Sequence, residues 1–307
     1  MANGGSVSTL MLTDSGLETW LVFHRGIDLP DFAAFPLLDD ADGRVLLAEY
    51  FRDHVRIAHD VGTGIVLETP TWRANLDWGA RLGYDAAALD RVNQDAVALV
   101  RAAGQGYDDV ELIVSGCIGP RGDGYAPDAL LEPDEAASYH RPQIASFVAG
   151  GADRVSMLTA THAGEAIGVV QAAVAETIPV VVAFTVETDG RLPSGQPLRD
   201  AIEEVDAATG GAALHFGINC AHPEHFTDRL DGSRAIGRIE LLRANASRAS
   251  HAELDAAEEL DDGDPAELAS LYAALRRDHP HLRVLGGCCG TDTRHVEAIA
   301  RACVSGQ

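Results

Sequence analysis

Pro179-Val180-Val181-Val182-Ala183-Phe184-Thr185-Val186 is an uncharged run dominated by β-branched residues, and a helical pattern follows it near Leu198 to Ala208. The run reads as one of the clearest strands in the chain. Working back, a helix is expected from Ala163 to Glu176, a strand at Arg154 to Leu158 and a helix near Pro133 to Ala149, whose first turn suits the fixed φ of proline. Before these come a strand at Val110 to Ser115, a helix near Ala86 to Ala102 and a strand at Gly64 to Glu68. Val45 to Val61 carries Leu46, Leu47, Tyr50, Phe51, Val55 and Ala58 at helical spacing, and Thr9 to Asp14 is the first strand. Working forward, a sixth strand spans Ala213 to Asn219, and the stretch to Leu230 holds a short helix. A seventh strand lies near Ile239 to Asn245, with a helix from Pro265 to Arg277. An eighth strand, Arg283 to Gly287, precedes a closing helix, Thr293 to Cys303. Repeated βα units imply a parallel sheet, and eight of them in 307 residues favour a closed (β/α)8 barrel, one domain over residues 1–307. The acidic stretch Ala246 to Asp264 reads as solvated outer structure without a catalytic role.

Composition narrows the partners. The formal charge is -24, from 47 acidic against 23 basic residues, and every one of those basic residues is arginine. Such a surface repels a phosphate backbone and an anionic membrane, so neither nucleic acid nor membrane is an expected partner. No apolar run reaches the roughly 20 residues of a membrane span, and Met1 to Ser8 lacks the pattern of a secretory signal. The expected location is the cytoplasm. Five cysteines in a reducing compartment suggest metal or catalytic use rather than a disulfide framework. Oligomeric state is not legible.

Three of those cysteines fall at strand ends. Cys220 closes Gly217-Ile218-Asn219-Cys220, and the eighth strand ends in Gly286-Gly287-Cys288-Cys289-Gly290. Strand ends at one face of a barrel converge on one pocket. Three thiolates around Zn²⁺ leave a fourth tetrahedral position open, the arrangement of a catalytic site. Adjacent strand residues point to opposite faces, so a vicinal pair shares one ion only where the backbone turns, as glycine permits. The alternative is a set of buried apolar cysteines.

These stretches resemble the two zinc motifs of the homocysteine S-methyltransferase family. Asp14-Ser15-Gly16-Leu17-Glu18-Thr19, Gly116-Cys117-Ile118-Gly119-Pro120, Phe184-Thr185 with Gly190-Arg191-Leu192 and Ser194-Gly195, and Arg243-Ala244-Asn245-Ala246 resemble further segments of it. The resemblance runs over about residues 9 to 302 and implies a TIM barrel with zinc held by Cys220, Cys288 and Cys289, which are then also the catalytic residues. It implies that the metal takes the acceptor thiol and that the resulting thiolate attacks a methyl group on a sulfonium or quaternary ammonium donor. It implies that Asp14 holds the amino group of an amino-acid acceptor.

Other expected substrate residues are Glu68 and Glu187 near strand ends, Trp20 and Trp72 as aromatic faces for a methylated cation, and Asn219 as an orienting amide. Phe23 is a further aromatic candidate and Asn245 a further amide. Cys117 reads as a small buried residue, Cys303 lies apart in the last helix, and His162, His222, His225 and His295 carry no expected metal role. One position departs from the family. Its fourth strand ends in Phe-Glu-Thr, where the glutamate helps to hold the substrate ammonium, whereas this chain has Leu158 in Met157-Leu158-Thr159. Glu68 or Glu187 compensates, or the acceptor is a different thiol or selenol. The donor is a small cation of the S-methylmethionine, S-adenosylmethionine or betaine type, or a separate corrinoid protein supplies the methyl group. A carboxylate-held metal on Asp14, Glu68 and Glu187, and a non-enzymatic zinc or redox protein, are the competing readings.

Overall fold

The computed structural model describes residues 10–125, 127 and 130–304. Met1 to Thr9, including the expected start of the first strand, lies outside the described residues, as do the ends of the 1–307 span. Eight parallel strands close into a barrel in sequence order, with β1 (Met11–Thr13) pairing to both β2 (Gly64–Glu68) and β8 (Val284–Gly287). Between them lie β3 (Leu112–Ile118), β4 (Arg154–Ala160), β5 (Val180–Phe184), β6 (Phe216–Asn219) and β7 (Ile239–Ala244). The strands β2, β4, β5, β6 and β8 are buried along their whole length. One face of each meets the barrel interior and the other meets helices, which is why these strands read as apolar runs without alternation.

The barrel helices are α1 (Ala41–Val61), α2 (Ala86–Ala102), α3 (Pro133–Gly150), α4 (Ala163–Ala175), α5 (Leu198–Thr209), the single-turn α6 (Pro223–Phe226), α7 (Pro265–Asp278) and α8 (Thr293–Val304). Side-chain carboxylates start several of them. Asp40 accepts from the Gly43 N–H, Asp85 from Ala88, and Asp264 from Ala266 and Glu267. Their apolar stripes join the outward strand faces in one large core, including Leu47, Phe51, Phe147 and Ile202. A second, smaller cluster of Val66, Cys117, Leu158, Val181, Ala183, Leu241 and Val284 fills the barrel itself. The barrel is thus packed below, and chemistry is confined to the carboxyl ends of the strands.

Several strand boundaries differ from expectation, with the fourth strand running on to Ala160 and the fifth ending at Phe184. The third strand runs on through Gly116-Cys117-Ile118, and the sixth begins only at Phe216. The fourth strand bulges between Met157 and Ala160, where Thr159 takes φ 63°. The acidic stretch 246–264, expected as a solvated helix or loop, contains a short helix, His251–Asp255, opened by a Ser250/Glu253 capping box, but His251 is buried against the site. Among the described residues no helix is long and apolar enough to cross a membrane.

Candidate active site

The three strand-end cysteines meet. Cys220 follows β6 with φ 57°, a left-handed conformation costly for a side chain with a Cβ, and its N–H donates to the Arg243 carbonyl at 3.0 Å. Beyond β8 the chain turns tightly. The Thr291 N–H and hydroxyl both donate to the Cys288 carbonyl, at 3.0 and 2.7 Å. Gly290 completes that turn at φ 78°, and a Cβ on Gly286 would overlap the Thr13 hydroxyl of β1. This local backbone aims two consecutive side chains at one point. Cys220 Sγ lies 3.1 Å from Cys288 Sγ and 3.4 Å from Cys289 Sγ, and all three sulfurs fall within 4.8 Å.

Thiols packed this closely suit a cation. Zn–S bonds of about 2.3 Å at tetrahedral angles place sulfurs about 3.8 Å apart, so this trio has to spread by well under 1 Å. Without a cation the sulfurs share charge unequally. Hydrogen bonds with its two neighbours hold the Cys288 thiol well below its ordinary pKa, while the contact with Cys288 pushes that of Cys220, and the contacts with Cys220 and then Cys288 push that of Cys289, well above theirs. Among the described residues no other group of three or more His, Cys, Asp or Glu side chains gathers ligand atoms this way. The competing carboxylate site on Asp14, Glu68 and Glu187 is not assembled.

The cavity above the sulfurs is lined by Asp14, Glu18, Glu68, Trp72, Tyr125 and Leu158, among others. Asp14 is buried and paired, its Oδ1 accepting from Arg243 at 2.8 Å, while the same guanidinium also donates to the Ser15 carbonyl at 3.2 Å. Glu68 is equally buried but open. Neither carboxylate oxygen has a hydrogen-bond partner, and the nearest guanidinium, Arg154, stands 3.9 Å away. The Ser115 hydroxyl beside it is turned to Ser156 at 2.7 Å. Burial pushes the Glu68 carboxyl above its ordinary pKa, and Arg154 pulls it only part of the way back. Glu18, at the edge of the cavity, is pushed up to about 7, chiefly by burial, with Cys288 and Asp14 adding to the effect.

Trp72 lines the cavity with its indole N–H donating to the Leu158 carbonyl at 3.3 Å and one ring face covered by Arg73 at 4.2 Å. Asn219 also reaches the cavity, but both ends of its amide bind Thr159. Its oxygen accepts from the Thr159 N–H at 2.8 Å, and its nitrogen donates to the Thr159 hydroxyl at 2.9 Å. Asn219 therefore braces the bulge of β4. Two expected residues lie elsewhere. Trp20 packs on Tyr50 at 5.1 Å with Arg25 over its ring, outside the cavity, because the chain winds into a π-helical segment there. Glu187 sits behind Cys220, in a hollow shared with His251, its carboxylate 3.2 Å from His251 Nδ1. Phe23 is exposed, and Asn245 lines that same hollow. His222 caps α6, and His225 donates to the Arg248 carbonyl.

Arg243, Glu18, Tyr125 and His251 are site residues without a forecast role. For Arg243 a signal existed, since a charge next to Leu241 and Leu242 near the end of a barrel strand demands a buried partner. Tyr125 lies in a loop and His251 opens a five-residue helix within a connection, and no periodicity announces them.

A family model described as homocysteine S-methyltransferase matches residues 11–303. The chain belongs to the homocysteine S-methyltransferase family. It is an S-methyltransferase. The homocysteine S-methyltransferase YbgG of Bacillus subtilis (strain 168) is 24% identical, over 95% of this chain and 93% of that protein. The homocysteine S-methyltransferase of Escherichia coli (strain K12) is 24% identical over 94% of each. Crystal structures of the E. coli homocysteine methyltransferase MmuM share the fold. Its oxidized form superposes with a TM-score of 0.75 at 23% identity, covering 95% of this chain and 94% of that one. Its metallated form gives 0.72 at 20% identity, covering 95% and 96%.

Proposed function

We propose that this cavity moves a methyl group from a small cationic donor to a thiol, homocysteine in the first place, giving methionine, with zinc held by Cys220, Cys288 and Cys289. The carrying observation is the convergence of three sulfurs from two strand ends at the foot of a carboxylate-lined cavity. The relatives named for homocysteine support the acceptor, and the sulfur-rich donor set supports a soft divalent ion. When bound, the zinc ion supplies an acceptor thiol that is ionised at neutral pH.

The protein's own groups do the rest. Leu158 removes the carboxylate expected at β4, and an ammonium left without a partner there is costly. Glu68, with its two unpartnered oxygens, takes over that task beside Asp14. Trp72, Tyr125 and Phe32 form an aromatic wall, and Glu18 places at the edge a carboxyl whose ionisation a bound cation favours, an environment for a sulfonium or quaternary ammonium group. Holding thiol, methyl and leaving group in line supplies much of the rate. A reducing cytoplasm keeps such a trio of thiols available.

Leu158 favours a second reading, in which the acceptor is a thiol or selenol lacking an ammonium, or the methyl group arrives on a separate corrinoid protein. Both are separated by assay. The purified protein is analysed for metal and offered homocysteine and other thiols with S-methylmethionine, S-adenosylmethionine and betaine. One zinc per chain, loss of transfer on chelation, recovery with zinc and a strong preference for homocysteine are expected. Full activity in metal-free protein ends the metal assignment, and a preference for a thiol without an amino group ends the homocysteine assignment.

A further inference from the structure

We infer that Tyr125 is a positioning residue for the sulfur site, its hydroxyl donating a hydrogen bond to Cys220 Sγ within a clamp completed by His251. The inference rests on the proposed metal role of the three cysteines.

Three observations converge on Cys220. The Tyr125 hydroxyl lies 3.0 Å from its sulfur. His251 Nε2 donates to its carbonyl oxygen at 2.6 Å, while His251 Nδ1 faces Glu187 at 3.2 Å. The Tyr125 and His251 rings pack on one another, centroids 4.2 Å apart and planes 34° apart. The phenol and the imidazole come from different connections, one following β3 and one preceding α7, and between them they hold the side chain and the backbone of one cysteine. That cysteine has φ 57°, so its conformation has to be maintained from outside.

The chemistry gives the contact a purpose. Three thiolates around a divalent ion carry a net charge of minus one, and an acceptor thiolate adds another. A phenol O–H aimed at one ligand sulfur stabilises that charge, and outer partners of this kind hold ligands in orientation and support metal affinity. Cys288 and Cys289 are set by their own turn, whereas Cys220 arrives alone from another strand. Cys288 has a longer outer contact, from the Asn219 amide nitrogen at 3.9 Å, and the short phenol contact falls on the ligand that comes from the other strand.

The test uses full-length protein loaded with Co²⁺, whose sulfur-to-metal charge-transfer band reports thiolate donation, and zinc affinity measured by competition with a chelator. Tyr125→Phe is expected to shift the band and lower zinc affinity about 10-fold to 100-fold. Tyr139→Phe, which removes a hydroxyl bound to Asn75 away from the site, is expected to change neither. An unchanged band and an affinity within about two-fold of wild type in Tyr125→Phe would overturn the inference. If Tyr125→Phe folds poorly, 3-fluorotyrosine at position 125 keeps the shape and strengthens the donor, so the band should move the opposite way, and an unmoved band overturns the inference. Failure of the wild-type chain to bind Co²⁺ removes the metal reading itself, an outcome distinct from a wild type that binds and a variant that matches it.

Discussion

Two buried acid–arginine pairs stand at the top of the barrel, and they are not alike. Asp14 of the β1 end and Arg243 of β7 are joined at 2.8 Å, and Arg243 also ties down the Ser15 carbonyl. Glu68 of β2 and Arg154 of β4 are as deeply buried, yet they stand 3.9 Å apart with both carboxylate oxygens unpartnered. A closed pair holds two strands together with its charge already compensated. An open one keeps a desolvated charge in reserve, which is worthwhile only where a ligand completes it.

The comparison breaks most readily on stability. Arg243→Met leaves Asp14 as an uncompensated buried charge and is expected to cost about 3–5 kcal/mol. Glu68→Gln, which keeps shape and polarity, should cost less than half of that in the same urea titrations. Equal losses would mean that the two pairs do the same job. Glu68→Gln should show instead in catalysis, with kcat/KM for homocysteine down about 100-fold, roughly 2.7 kcal/mol. The loss should fall mainly on KM, and steady-state kinetics that leave KM unchanged remove Glu68 from acceptor binding.

The pH dependence of stability sharpens the contrast further. Beneath the open pair, His215 stands 3.4 Å from Arg154, and burial together with that guanidinium lowers its pKa to about 3. Between that value and the ordinary 6.5 the unfolded chain binds the proton and the folded chain does not. The stabilisation is therefore complete above about pH 6.5 and is lost as pH falls towards 3, amounting to about 2 kcal/mol at pH 5. His215→Gln should flatten the stability profile from pH 7 to pH 5, which denaturant titrations at the two pH values measure. The smallest expected effect is a rescue. Leu158→Glu in the Glu68→Gln background should restore homocysteine kcat/KM about 10-fold, or 1.4 kcal/mol. No gain would place the acceptor's amino group away from β4.

Much of the architecture was legible because a parallel barrel writes itself as buried apolar runs between amphipathic helices. Val180–Phe184 and Gly64–Glu68 are examples with no polar alternation to confuse them. The end of β3 was not legible. Gly116 looks like a turn residue, but it sits inside the strand because a Cβ there would collide with the Phe147 ring of α3. The cysteines stood out because a vicinal pair in glycine-rich sequence has few other uses. The Tyr125 and His251 contacts were hidden, because they join connections to Cys220 across 95 and 31 positions. Trp20 misled for the opposite reason. Its nearness to β1 in sequence is real, but a π-helical segment carries it onto Tyr50.

The bulge in β4 has a consequence for how this catalyst changes over time. In a regular strand, neighbouring residues serve opposite sides of the sheet. Here Leu158 and Thr159 both border the same cavity, since the extra residue turns one of them over and Asn219 locks it there. The wall is thereby given two adjacent codons instead of one. Leu158 can be exchanged there without touching the Thr159–Asn219 brace, whereas Thr159 cannot.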